Sequence, residues 1–226
     1  MPLERVVFVH GGGSFGAAAW PRQHGLALDY DCLFLKRHGF DPGLDPGADH
    51  GAGPQPPDLE ADVGIIREAL GGGGHLVAHS SGAVPAMVAA LREPGRVFSL
   101  VLCEPAVFSL TRDFPATTAH RELLQPRAGA GPEEAGSDDA PLEIVPGVPT
   151  LVLTGGWEPL YEEVAEFLAS TGAVHRQVGG DHRPQDTDAG RLAIREFLAA
   201  VSRGRRGGGD QLGRDQRDGR DQRGGG

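Results

Sequence analysis

Short runs of apolar, β-forming residues recur along the chain, and each stops at a cluster of glycine or reactive polar residues. Val6–Val9 runs into His10-Gly11-Gly12-Gly13, and Asp31–Leu35 repeats the apolar theme. Leu76-Val77-Ala78 halts at His79-Ser80-Ser81-Gly82, and Ser99–Cys103 leads to Glu104-Pro105. Thr150–Thr154 breaks at Gly155-Gly156, and Val174–Val178 ends at Gly179-Gly180-Asp181-His182. Between these strands the period lengthens. Leu59, Val63, Ile66 and Leu70 follow an N-cap at Asp58, Ala83–Leu91 reads as a second helix, and Pro159 opens a third that carries Leu160, Val164, Phe167 and Leu168. A last helix near Asp188–Val201 presents Ile194, Phe197, Leu198 and Val201. Such alternation predicts an α/β protein: a mostly parallel, doubly wound sheet with helices on both faces.

The 226 residues suffice for one domain, expected over residues 1–202. From Arg203 the sequence is Gly, Arg, Asp and Gln with a single leucine, so a disordered tail is expected over 203–226. A formal charge of -10 argues against a nucleic-acid partner, because phosphate backbones are held by clustered Lys and Arg. No apolar stretch approaches membrane-spanning length, and no signal peptide is visible ahead of the first strand, so a cytoplasmic location is expected. Cys32 and Cys103 both lie in strand-like runs and read as buried free thiols. Lysine occurs once and asparagine never, a bias that fits a GC-rich coding sequence, as in many bacteria.

The segment around Ser80 carries the most information. Small residues stand two before it (Ala78) and two after (Gly82), as a strand–serine–helix elbow requires, since larger side chains there would strike neighbouring backbone. The turn exposes the hydroxyl at the carboxyl end of a strand, where an open α/β sheet places its ligands. Ser80 is the candidate nucleophile.

Taken together, VHGGG, the AHSSG elbow, LTGGWEPLY and GGDHRP, each after an expected strand, make the chain resemble the α/β-hydrolase superfamily over nearly all of residues 1–201. The resemblance implies a catalytic domain with a short lid at about 109–149, a minimal cap by the family's standard. It also implies a Ser–acid–His triad with His182 as general base. Glu158 is the expected acid that orients His182, and Glu104, at an earlier strand end, is the alternative acid. The oxyanion hole falls to the backbone N–H groups of Gly12 and Ser81. His79 is expected to pack beneath the site. His10 is expected to order the glycine loop or to face a pocket, and Phe15, Trp20 and Trp157 could equally line a pocket or pack in the core.

The chemistry expected is that of a carboxylesterase-like serine hydrolase, cleaving a small-molecule ester, thioester or lactone through an acyl-Ser80 intermediate. A lyase or acyl transferase on the same scaffold is the alternative, and a non-catalytic receptor the third reading. No cofactor is implied. The other histidines show no metal-ligand spacing, and Gly71–Gly74 lacks the Lys-Ser/Thr of a phosphate loop. Nothing in the sequence indicates a homo-oligomer.

Overall fold

The structure, a computed structural model, describes residues 2–40, 58–124 and 142–221. Six strands form one sheet: β1 (Arg5–Val9), β2 (Asp31–Phe34), β3 (Gly74–His79), β4 (Val97–Cys103), β5 (Thr150–Thr154) and β6 (Val174–Gln177). Their order is β2-β1-β3-β4-β5-β6, and every pairing is parallel. Chain direction across the sheet reverses at β1, so a topological switch point lies between the carboxyl ends of β1 and β3. The register aligns Val9 with Ala78 and His79 with Cys103, which brings the glycine loop, the elbow and Glu104 to one edge.

The expected pleat is visible in the packing. Val7, Val9, Leu76, Ala78, Leu100, Leu102 and Val152 face one side of the sheet. They are covered there by α1 (Leu59–Leu70), α2 (Ala83–Arg92) and α4 (Pro159–Ser170). Val6, Phe8, Val77, Val101, Leu151 and Leu153 face the other side, against Trp20, Leu26 and, on the last helix, Ile194 and Leu198. Strands buried on both faces explain why these runs are continuously apolar rather than alternating. Asp58 caps α1 by accepting a bond from Ala61 N–H at 3.0 Å, and Gly71 ends it at φ 54.

Two stretches bear on the expected domain organisation. The last helix, α5, runs from Asp188 to Asp221, where the sequence predicts disorder from Arg203. Its continuation is docked: Ser202 is buried, Arg205 lies 3.3 Å over the Phe98 ring, and Arg206 pairs with Glu4 at 3.9 Å. Arginine and glutamine also favour helix, so the low apolar content that suggests a disordered tail does not prevent a helical one. The interval expected to form the lid contains a 3-10 turn, Phe108–Thr111, and α3 (Pro115–Leu124). The rest of it, 125–141, and the Gly/Pro-rich stretch 41–57 lie outside the described residues.

Candidate active site

Only three non-glycine residues among those described have positive φ: Ser80 (51°), Glu104 (45°) and Asp181 (50°). Each follows the end of a strand or the loop leaving one, and each borders the same point in space. Backbone held in this region costs an ordinary residue about 1–2 kcal/mol, and such strain persists where surrounding packing imposes it.

At Ser80 the cause is the elbow. The fully buried strand β3 turns through a single 3-10 turn, Ser80–Gly82, directly into α2. A Cβ on Gly82 would lie 2.4 Å from the His10 carbonyl oxygen and 2.7 Å from that of Val9. A Cβ on Gly11 would lie 2.8 Å from Cβ of Ser80. Backbone therefore packs on backbone at the switch point, and only glycine permits it.

Ser80 Oγ lies 3.0 Å from His182 Nε2. His182 lies in the loop after β6, and its backbone is held from below: His79 donates its Nε2–H to the His182 carbonyl at 2.7 Å. Burial drives the His79 pKa down to about 3, so the ring stays neutral and keeps that donor role. Arg183 braces the same loop by donating to the Ala19 carbonyl at 2.6 Å and pairing with Asp186 at 2.5 Å.

Glu104 is the carboxylate that faces the His182 ring. Its side chain is fully buried, Oε1 accepts the Gly155 N–H at 2.5 Å, and Oε2 stands 3.9 Å from His182 Nδ1. Neither Oε2 nor Nδ1 has another partner among the described residues. Glu158, the acid expected first, caps the entry to α4 and makes no side-chain bond at that cap and no ion pair with His182. Its neighbours bring aromatic rings instead: Trp157, just before it, and Tyr161, in the first turn of α4, lie 6.1 and 5.1 Å from the His182 ring. The chain turns at Glu104 because φ there is positive, which swings the carboxylate inward from the end of β4. A carboxylate placed between the apolar run Leu100–Cys103 and a proline is the sequence signal for it.

Other expected residues separate clearly. Trp20 is fully buried in the core, and His10 is 1% exposed, so neither lines an open pocket. His10 is held as one neutral tautomer, with Nδ1–H donating to the Gly11 carbonyl at 2.7 Å and Nε2 accepting from Arg37 N–H at 3.1 Å. Phe15 is partly buried beside His10 and Lys36. Trp157 is 47% exposed. Gly12 is exposed on the first loop, next to the glycine that abuts Ser80, and Ser81 follows Ser80 at the elbow. Sequence reasoning missed Arg37 and Asp62, a buried pair behind this loop; an aspartate among the apolar positions of α1 was the available clue.

A separate apolar cleft of about 670 Å³, lined by Leu91, Leu110, Val145 and Phe167 among others, contains none of the three residues at the Ser80 cluster. Among the described residues no group of His, Cys, Asp and Glu is arranged to hold a metal ion. No helix of the described residues is long and apolar enough to cross a membrane.

No family model and no curated protein matches the chain. Solved structures do. A point mutant of an epoxide hydrolase from Bacillus megaterium matches at 15% identity and TM-score 0.60, covering 88% of this chain and 94% of that one. A thermophilic esterase of Thermogutta terrifontis matches at 20% identity and TM-score 0.56, over 88% and 91% of the two chains. An alpha/beta hydrolase of Sphaerobacter thermophilus matches at 19% identity and TM-score 0.54, over 86% and 92%. With the switch point, the elbow and these likenesses together, the chain has the α/β-hydrolase fold.

Proposed function

We propose that the protein is a serine hydrolase that cleaves small-molecule carboxylic esters, thioesters or lactones through an acyl-Ser80 intermediate. The observation that carries this reading is the 3.0 Å contact between Ser80 Oγ and His182 Nε2 on a strained elbow. A serine hydroxyl attacks only when a base takes its proton as the bond forms. In the first step the Oγ–C bond forms and the Ser80 proton passes to His182 Nε2. The tetrahedral oxyanion is received by the N–H groups of Gly12 and Ser81. Collapse breaks the bond to the leaving alcohol or thiol, which takes the proton from His182. Water then repeats the sequence on the acyl enzyme and returns the serine.

Glu104, rather than Glu158, serves as the acid in this reading. Its buried carboxylate faces Nδ1, fixes the tautomer that leaves Nε2 free to accept, and stabilises the imidazolium formed during attack. A Nδ1–Oε2 separation of 3.9 Å is long for a hydrogen bond. Catalytic contacts commonly tighten only when substrate binds. A serine nucleophile fits acyl transfer to water, and the esterase among the structural neighbours is consistent with that class.

Turnover of p-nitrophenyl acetate tests the proposal. The wild-type chain is expected to release p-nitrophenol in a burst followed by a steady state, and Ser80→Ala to lose about three orders of magnitude or more in rate. Equal rates for the two proteins would refute it.

A further inference from the structure

We infer that the buried Arg37–Asp62 pair is a positioning device for both arms of the oxyanion hole; the inference rests on the serine-hydrolase reading above. Arg37 and Asp62 are 5% and 2% exposed, and Arg37 Nε–H donates to Asp62 Oδ2 at 2.8 Å. From that anchor one nitrogen, Nη1, reaches the two segments that carry the oxyanion donors. It donates to the His10 carbonyl at 3.2 Å and to Ser81 Oγ at 3.1 Å. The main-chain N–H of Arg37 donates to His10 Nε2, and that ring in turn grips the Gly11 carbonyl. The second Asp62 oxygen accepts His38 N–H at 2.7 Å, which fixes the backbone that presents Arg37.

The guanidinium thus spans the switch point. On one side it holds His10-Gly11, the residues leading to Gly12 N–H. On the other it holds the Ser81 side chain, whose own N–H is the second donor. A lysine could not replace it in kind, because an ammonium lacks the planar fork that serves Asp62, His10 and Ser81 together. Stability gives a weak reason to keep such a pair, since replacing a buried ion pair by apolar residues is often neutral or stabilising. Geometry gives a stronger one. Donors displaced by about 1 Å from a developing oxyanion lose much of their effect. Arg37 touches no reacting atom; it acts through Ser81 and the first glycine loop.

The test compares wild type, Arg37→Met/Asp62→Leu and Arg37→Lys for thermal midpoint, fluorophosphonate labelling at Ser80, kcat and KM on p-nitrophenyl acetate, and inhibition by an aryl trifluoromethyl ketone. In whichever variant retains a wild-type thermal midpoint, kcat is expected to fall about 10- to 100-fold with KM within about threefold. The inhibition constant of the ketone, whose hemiketal oxyanion occupies the hole, should rise by the same factor as kcat falls. Should the double variant not fold, Arg37→Lys carries the comparison alone. A folded variant with kcat and ketone inhibition both within about threefold of wild type would overturn the positioning role while leaving the hydrolase reading intact. A wild-type chain that is not labelled at Ser80 would overturn both.

Discussion

Glu104 Oε2 and His182 Nδ1 face each other at 3.9 Å, both buried and both without another partner among the described residues. Leaving two such groups unpaired is costly, and the cost is lifted in any state where the ring closes on the carboxylate. Glu158 has no comparable relation to the ring. Glu104→Gln is expected to lower kcat on p-nitrophenyl acetate by about 10²- to 10⁴-fold, since the amide no longer stabilises the imidazolium or fixes its tautomer. Glu158→Gln should stay within about threefold of wild type. Steady-state kinetics on the two variants checks this, and the reverse ranking would restore Glu158 as the acid.

The neutral His79 has a consequence for acid stability. An unfolded histidine takes up a proton near pH 6.5, whereas the folded His79 refuses one until about pH 3. The stability this confers is fully present above the unfolded value and is lost as pH falls from about 6.5 towards 3, at about 1.4 kcal/mol per pH unit. Burial lowers His10 and His75 as well, so they add to the same acid loss. His79→Gln, whose amide can still donate to the His182 carbonyl, should flatten the slope by about one proton's worth. Urea unfolding at about pH 7, 6 and 5 measures it, and parallel slopes for the two proteins would contradict the assignment.

Gly82 makes a steric prediction. An alanine there puts a methyl group 2.4 Å from the His10 oxygen, so either the elbow or the end of β1 must move. Overpacking of this kind costs about 1–3 kcal/mol. Gly82→Ala is expected to lower the thermal midpoint and to cut kcat more than about tenfold, because the same shift displaces Ser80 and the glycine loop together. An alanine variant with wild-type kcat would show that the close approach is not needed.

Trp157 is half exposed with its ring 6.1 Å from that of His182, so the proposed site would offer a substrate's aryl group a ring to stack on. A single aromatic contact is worth about 0.5–1.5 kcal/mol, or about two- to tenfold in binding. Trp157→Ala should therefore raise KM for p-nitrophenyl or naphthyl esters by that factor and leave methyl or ethyl acetate unaffected. Equal changes across both ester classes would point to a purely structural role.

Much of this is legible in the sequence, for identifiable reasons. Strands β1, β3, β4 and β5 stand out because both faces of the sheet are buried there, which makes those runs nearly continuously apolar. Ser80 and the Gly11 loop stand out because close backbone approach leaves a signature of small residues. His182 can be placed because it follows the last strand. The acid is not decidable in the same way. Glu104 and Glu158 both follow strands, and the turn at Glu104 that aims its carboxylate at His182 is a backbone property invisible in residue order. Trp20 and His10 likewise could face either core or pocket until tertiary packing buries them. The Arg37–Asp62 pair spans 25 residues, from the segment after β2 to α1, so the aspartate among the apolar positions of α1 hints at a buried charge without naming its partner.

Every step of the proposed chemistry depends on Ser80 being an activated nucleophile. Intact-protein mass after brief exposure to a fluorophosphonate, on wild type and on Ser80→Ala, tests this most directly. A single adduct on the wild-type chain and none on the variant is the predicted result. An unmodified wild type, or an adduct that persists in Ser80→Ala, would contradict it.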